Sequence, residues 1–175
     1  ILTTALASSL VPAVSEAYAM GNNRRIIERA STAMKIANLF AIPACIGLCV
    51  LATPISQLIY ATPNAGPVIA VISLSIIFLG CQQITAGILQ GLGRTVIPMM
   101  SIFVGLLVKA VLDYQLTGTS ELGINGAAWA TNLNFAIAAL INIIFVKRHV
   151  GSVICCMNLL KIIISAMAMG GATQV

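Results

Sequence analysis

Charge is what this sequence has least of. Only 7% of its 175 residues are Asp, Glu, Lys or Arg, against about 25% in an ordinary soluble domain. A compact body of this mass cannot clothe its surface with so few polar groups. That excludes a water-soluble globule, a charged coiled coil and a disordered tail. Aromatic residues are also scarce, at 5% with a single Trp, which argues against an outer-membrane barrel with its aromatic girdles. Sites for chemistry are missing too. The acids Glu16, Glu28, Asp113 and Glu121 are scattered, His149 stands alone, and no C-x-x-C occurs among Cys45, Cys49, Cys81, Cys155 and Cys156. Gly91-Leu-Gly93 lacks the preceding strand that a dinucleotide fingerprint needs. No enzyme chemistry, cofactor or metal follows from these residues, and the cysteines read as small apolar packing groups.

What the chain does have is hydrophobicity: 59% apolar residues and a mean hydropathy of +1.05. Between positions 36 and 93 there is not one charged residue. A crossing helix takes about 20 apolar residues, so that stretch holds two. Between them Tyr60-Ala-Thr-Pro-Asn-Ala-Gly-Pro67 supplies two prolines, a glycine and an asparagine, a turn signal. The same logic places six segments, at 2–18, 36–60, 68–92, 96–116, 124–146 and 159–175. The fold class is therefore an all-α, polytopic transmembrane bundle of about five to six spans. The chain starts inside one apolar run and stops inside another, so we expect it to be part of a longer protein.

The few charges are informative by position. Nine Lys and Arg against four acids give +5, but they form no stripe, so nucleic acid is not an expected partner. They fall instead on alternate connections. Arg24, Arg25, Arg29 and Lys35 occupy the first, Arg94 the third, and Lys147, Arg148 and His149 the fifth, while the fourth holds only Glu121. The positive-inside rule then puts the connections at 19–35, 93–95 and 147–158 in the cytoplasm. Within the first, Gly21 ends one helix and Asn22 or Asn23 caps the next. Ile26, Ile27, Ala30 and Met34 recur at helical spacing, which describes either a helix at the headgroup level or an extension of the second span. Pro43, early in that span but well after its charged approach, is expected to kink it.

Small and polar residues inside the spans carry the functional signal. Gly87-Ile-Leu-Gln-Gly91 and Gly126-Ala-Ala-Trp-Ala130 allow close helix contact, most simply within the chain. Lys109 lies past the middle of the fourth span, where a charge costs about 2.5–3.5 kcal/mol. Asp113, at i+4, can pair with it. Lys109 is thus either a snorkelling residue held by Asp113 or the wall of an aqueous cavity that meets an anionic substrate. Gln82, Gln83 and Gln90 in the third span and Asn132, Asn134 and Asn142 in the fifth form a second group. Gln83 and Gln90 share a helix face with Gly87 and suit sugar hydroxyls, although amides also serve as interhelical bonds. The candidate substrate path is Lys109, Asp113, Gln83, Gln90, Gln82 and Asn132.

Five stretches in order carry a family resemblance: Leu10-Val-Pro-Ala-Val-Ser-Glu-Ala17; Pro43-Ala-Cys-Ile-Gly-Leu48 with Leu51-Ala-Thr-Pro-Ile55; Gln82-Gln-Ile-Thr-Ala-Gly-Ile-Leu-Gln-Gly-Leu-Gly-Arg94; Lys109-Ala-Val-Leu-Asp-Tyr114; and Leu122-Gly-Ile-Asn-Gly-Ala-Ala-Trp-Ala-Thr131. With them the chain resembles the MATE-like (MOP) superfamily of polysaccharide and lipid-linked oligosaccharide exporters, in its stage V sporulation protein B-like branch. The resemblance implies a two-lobe transporter of about fourteen helices. Residues 1–146 would be part of its second lobe, 147–158 a cytoplasmic connection and 159–175 the start of a trailing helix. It implies alternating access that carries a lipid-linked glycan across the bacterial cytoplasmic membrane, with the bilayer and a missing N-terminal lobe as partners. Lys109 stands at a basic position of that branch, whereas Asp113 stands where Asn is expected. The alternatives are a cation-coupled multidrug exporter of the same superfamily and a non-transporting scaffold for cell-envelope assembly.

Overall fold

The computed structural model describes residues 2–61, 63–118 and 123–150, so Glu121, Cys155, Cys156 and the expected segment at 159–175 lie outside the described residues. All regular structure among the described residues is helical: α1 (Leu2–Ala19), α2 (Asn23–Val50), α3 (Ala52–Tyr60), α4 (Gly66–Ser73), α5 (Ser75–Gly91), α6 (Val96–Gly118) and α7 (Gly123–His149). Four stretches are long and apolar enough to cross a membrane: Asn23–Val50, Gly66–Gly91, Val96–Thr117 and Ile124–His149. α1, expected as a span, is not among the four, because Thr3, Thr4, Ser8, Ser9, Ser15 and Glu16 dilute its apolar residues.

Two turns are closed by the same device. Gly21 (φ +65°) and Gly93 (φ +74°) take the left-handed conformation that glycine adopts without a Cβ clash. After Gly21, the Asn22 N–H returns to Ala17 O at 3.0 Å; after Gly93, the Arg94 N–H returns to Leu89 O at 2.9 Å. Both close the last helical turn in the Schellman pattern. Asn22 then caps α2, its Oδ1 accepting the Arg25 N–H at 3.1 Å. From there α2 runs unbroken to Val50, so the amphipathic stretch after Arg24 is an extension of the second span.

Helix breaks fall partly where the sequence marks them. α2 stays helical through Pro43. The expected segment at 36–60 is instead interrupted at Leu51, and Pro54 is the reason. It has no N–H to offer the Val50 carbonyl, and its ring would clash with that carbonyl if the helix continued. Pro54 sits in the first turn of α3, where its missing donor costs nothing. The segment at 68–92 begins earlier, at Gly66, and is interrupted at Leu74 with no proline or glycine beside it.

α6 packs along α7, α7 also lies against α5, and α1 and α2 form an antiparallel hairpin against α5. Glycines set the closest approaches. A Cβ at Gly87 would lie 3.0 Å from the Ala7 carbonyl oxygen, and one at Gly91 would lie 2.7 Å from Val14 Cβ. The G-x-x-x-G motif therefore seats α5 on α1 within the chain. Gly126 does the same for α7 on α6, meeting Leu116. The core collects at the end of the bundle holding the two glycine turns, around Val14, Ile26, Ala30, Ile88 and Leu89.

Candidate functional site

α1, α5 and the start of α6 enclose a cleft of about 570 Å³. From α5 it receives Gln82, Gln83, Gly87 and Gln90; from α1, Thr4, Ala7 and Ser8; from α6 and the turn before it, Thr95, Pro98, Met99 and Ile102. Gly87 brings α5 against Ala7, and Gln83 and Gln90 line the cleft on either side of it along α5. Gln83 and Gln90, seven residues apart, lie on the Gly87 face as their spacing requires. Gln82 is buried at 6% exposure, Gln83 is half-buried and Gln90 is exposed at the mouth. Gln83 Oε1 is buried without a hydrogen-bond partner. Ser8 Oγ donates to Ala5 O at 3.0 Å, which leaves its oxygen able to accept. Among the described residues, no Asp, Glu, Lys or Arg lines the cleft.

The structure thus brings three of the six candidate residues together. The other three lie elsewhere. Lys109 is on α6, two turns or about 10 Å of rise beyond Ile102, the cleft's furthest α6 residue. Its Nζ meets Asp113 Oδ2 at 2.7 Å, with both side chains about one-third exposed (29% and 32%). The pair lies on the α6 face that also holds Gly105 and Leu116, both of which touch α7. Asp113 Oδ1 is buried with no hydrogen-bond partner. Asn132 is buried at 3% and donates through Nδ2 to Val71 O, 2.7 Å away on α4.

Thr4, Ser8 and Thr95 were not singled out from the sequence. Their signal is the pair of hydroxyls four apart on α1, on a different side of the helix from the Leu6 and Leu10 that face α2. Leu6 and Leu10 instead border a smaller groove of about 340 Å³ against α2, which also holds Glu28 and Arg29. There the charges of the first connection answer one another. Arg24 Nε bonds Glu28 Oε1 at 3.3 Å, and Arg29 Nη1 donates to Ala13 O at 3.2 Å with Glu16 Oε2 at 3.8 Å. These are solvent-facing pairs worth little to stability. No group of three or more His, Cys, Asp or Glu able to hold a metal occurs among the described residues.

Comparison with known proteins agrees with this architecture. The family model of the lipid II flippase MurJ matches residues 1–175. In Bacillus subtilis (strain 168), the lipid II flippase MurJ is 26% identical over 155 residues, covering 86% of this chain and 28% of that protein. The uncharacterized membrane protein YabM of the same organism is 29% identical over 143 residues, covering 82% and 26%. Its stage V sporulation protein B is 27% identical over 147 residues, covering 84% and 28%. The chain therefore spans a little over a quarter of the length of these relatives.

Proposed function

Because the chain belongs to the lipid II flippase MurJ family, we propose that it is part of a carrier for a lipid-linked cell-wall glycan precursor, of the lipid II class. It moves that precursor across the bacterial cytoplasmic membrane by alternating access. The observation that carries this reading is the cleft lined by uncharged amides and hydroxyls between α1, α5 and α6. Flipping requires no covalent step. The obstacle is desolvation, since each bare amide or hydroxyl entering hydrocarbon costs about 2–7 kcal/mol. Glutamine side chains offer donors and acceptors together at no charge cost, so Gln82, Gln83 and Gln90 can replace water around sugar and peptide groups.

With the connections at 19–35, 93–95 and 147–158 inside the cell, Gln90 and Thr95 mark a cytoplasmic mouth. Gln83 then lies about 10 Å deeper along α5 than Gln90. The lobe completing the other wall belongs to the rest of the full-length protein. Lys109 enters the path only by exchanging Asp113 for a phosphate of the substrate. An exporter of cations would call for acidic side chains in this cleft, and a scaffold would need no cleft. Neither is favoured by the family match.

The test uses full-length protein in vesicles loaded with fluorescent lipid II, read by quenching of the outer leaflet. The Gln83→Leu/Gln90→Leu double variant loses two polar partners, so flipping should fall about tenfold or more while insertion is unchanged. Flipping at the original rate would remove the cleft from the path.

A further inference from the structure

The smaller groove between α1 and α2, on a different side of α1 from the cleft, carries a gradient of polarity. From the turn at Gly21 inward, its α2 wall reads Arg29, Thr32 and Ile36, at i, i+3 and i+7, so the three share one helix face. Arg25, one turn before Arg29, continues the same line outward. Leu6, Leu10 and Ala13 face them from α1. One end of the groove is therefore cationic and the other is hydrocarbon, with about 10 Å of rise between Arg29 and Ile36. Beyond Ile36, Leu39 and Phe40 are half exposed (56% and 52%) and flank the line that Arg25, Arg29, Thr32 and Ile36 draw along α2.

Between the two ends, the side-chain donors are already satisfied. Ser9 Oγ donates to Leu6 O at 2.9 Å and Thr32 Oγ1 donates to Glu28 O at 2.8 Å, so both hydroxyl protons are spent on their own helices. An apolar chain can lie along this wall without stripping a donor of its partner. At the cationic end the charges do not cancel: Arg24, Arg25, Arg29 and Lys35 stand against Glu16 and Glu28. Glu28 borders the groove, but Arg24 Nε holds it at 3.3 Å. Arg29 is anchored by its bond to Ala13 O at 3.2 Å, which leaves the rest of its guanidinium donors at the mouth. Among the described residues Arg25 has no ion-pair partner. An anion beside Arg25 and Arg29 would offset the excess of positive charge.

We propose that this groove binds an anionic phospholipid of the bilayer, its phosphate held by Arg25 and Arg29 and one acyl chain laid along Leu10, Ala33 and Ile36. Charge complementarity and the gradient together choose this occupant. A neighbouring apolar helix would leave the arginines unanswered, and a free phosphate would leave the apolar end empty. The lipid fills the seam between α1 and α2. The site does not depend on the transport reading above, because the cleft opens on another side of α1. With the first connection in the cytoplasm, the lipid comes from the inner leaflet.

The test places the full-length protein in vesicles of phosphatidylethanolamine and phosphatidylglycerol, one or the other carrying a photoactivatable group on its acyl chain. Cross-linked residues are then mapped by peptide mass spectrometry. Photoactivatable phosphatidylglycerol should label positions 6–10 and 33–36 several-fold more than the zwitterionic lipid does. Arg25→Gln/Arg29→Gln should lower that labelling about tenfold or more. Ser9→Phe, which fills the groove from an exposed position, should abolish it with both arginines in place. An unchanged unfolding temperature in lipid-free detergent shows that each variant is folded. Should the arginine variant fail that check, Ser9→Phe and the comparison of the two lipids decide the matter. Equal labelling by the two lipids overturns the proposal, and so does labelling that neither variant changes. No labelling at these positions also overturns it, and is the result if another part of the full-length protein fills the groove. Unlabelled lipid II that removes the label would assign the groove to the transported lipid and overturn the proposal as well.

Discussion

At the scale of single residues, Lys109 is a charged side chain within the long apolar stretch of α6, and Asp113 answers it at 2.7 Å. This much could be read from the sequence, because i,i+4 spacing puts the two side chains on one face. Which polar residues would share a site could not. Gln82, Gln83, Gln90 and Asn132 look alike as amides in apolar runs, yet the first three line a cleft while Asn132 is tied to a carbonyl 61 positions away. The ion pair makes a measurable prediction. Lys109→Met leaves a carboxylate whose Oδ1 already has no partner, and the loss should be about 1–3 kcal/mol. That is below the 3–5 kcal/mol of a fully buried pair because a third of each side chain is exposed. Lys109→Met/Asp113→Leu should recover most of it, as thermal unfolding in detergent would show. A double variant that loses as much as the Lys109→Met and Asp113→Leu singles added together would mean that the two charges are uncoupled.

At the level of helices, glycine positions that look equivalent in sequence separate by what they touch. Gly91→Ala would drive a methyl to 2.7 Å from Val14 Cβ and should cost about 1–3 kcal/mol by forcing α5 off α1. Gly47→Ala, in α2 with nothing within 4 Å, should raise stability by up to about 1 kcal/mol through helix propensity. Melting temperatures of the two variants in one detergent check both signs. Helix breaks divide in the same way. The interruption at Leu51 goes against the single segment expected at 36–60, yet its cause is written in the sequence, since Pro54 imposes it through covalent geometry. The cause of the one at Leu74 is not, because it depends on the Ser73 and Ser75 hydroxyls and on Asn132 arriving from another helix.

For the whole molecule, alternation of charge predicts which ends face the cytoplasm. Cysteines introduced by Asn64→Cys and Arg94→Cys, in an otherwise cysteine-free full-length protein, should differ in their labelling by a membrane-impermeant thiol reagent on intact cells. Position 64 should react and position 94 should react only after permeabilisation; the reverse would turn the bundle over and move the mouth of the cleft outside. The cleft itself needs three helices, with α1 supplying Thr4 and Ser8 although its own polarity keeps it out of the four long apolar stretches.

Scarcity of charge, set against long uncharged runs, by itself determined that this is a helical membrane protein. In hydrocarbon every backbone group must be satisfied locally, so composition and run length suffice to choose the architecture. Glycine and proline chemistry likewise determined both left-handed turns and the end of α2. Only the tertiary structure decided which polar side chains would meet. Gln83 and Ser8 come to line one cleft, and Asn132 comes to bond Val71, through packing between helices, and no local spacing encodes those distances.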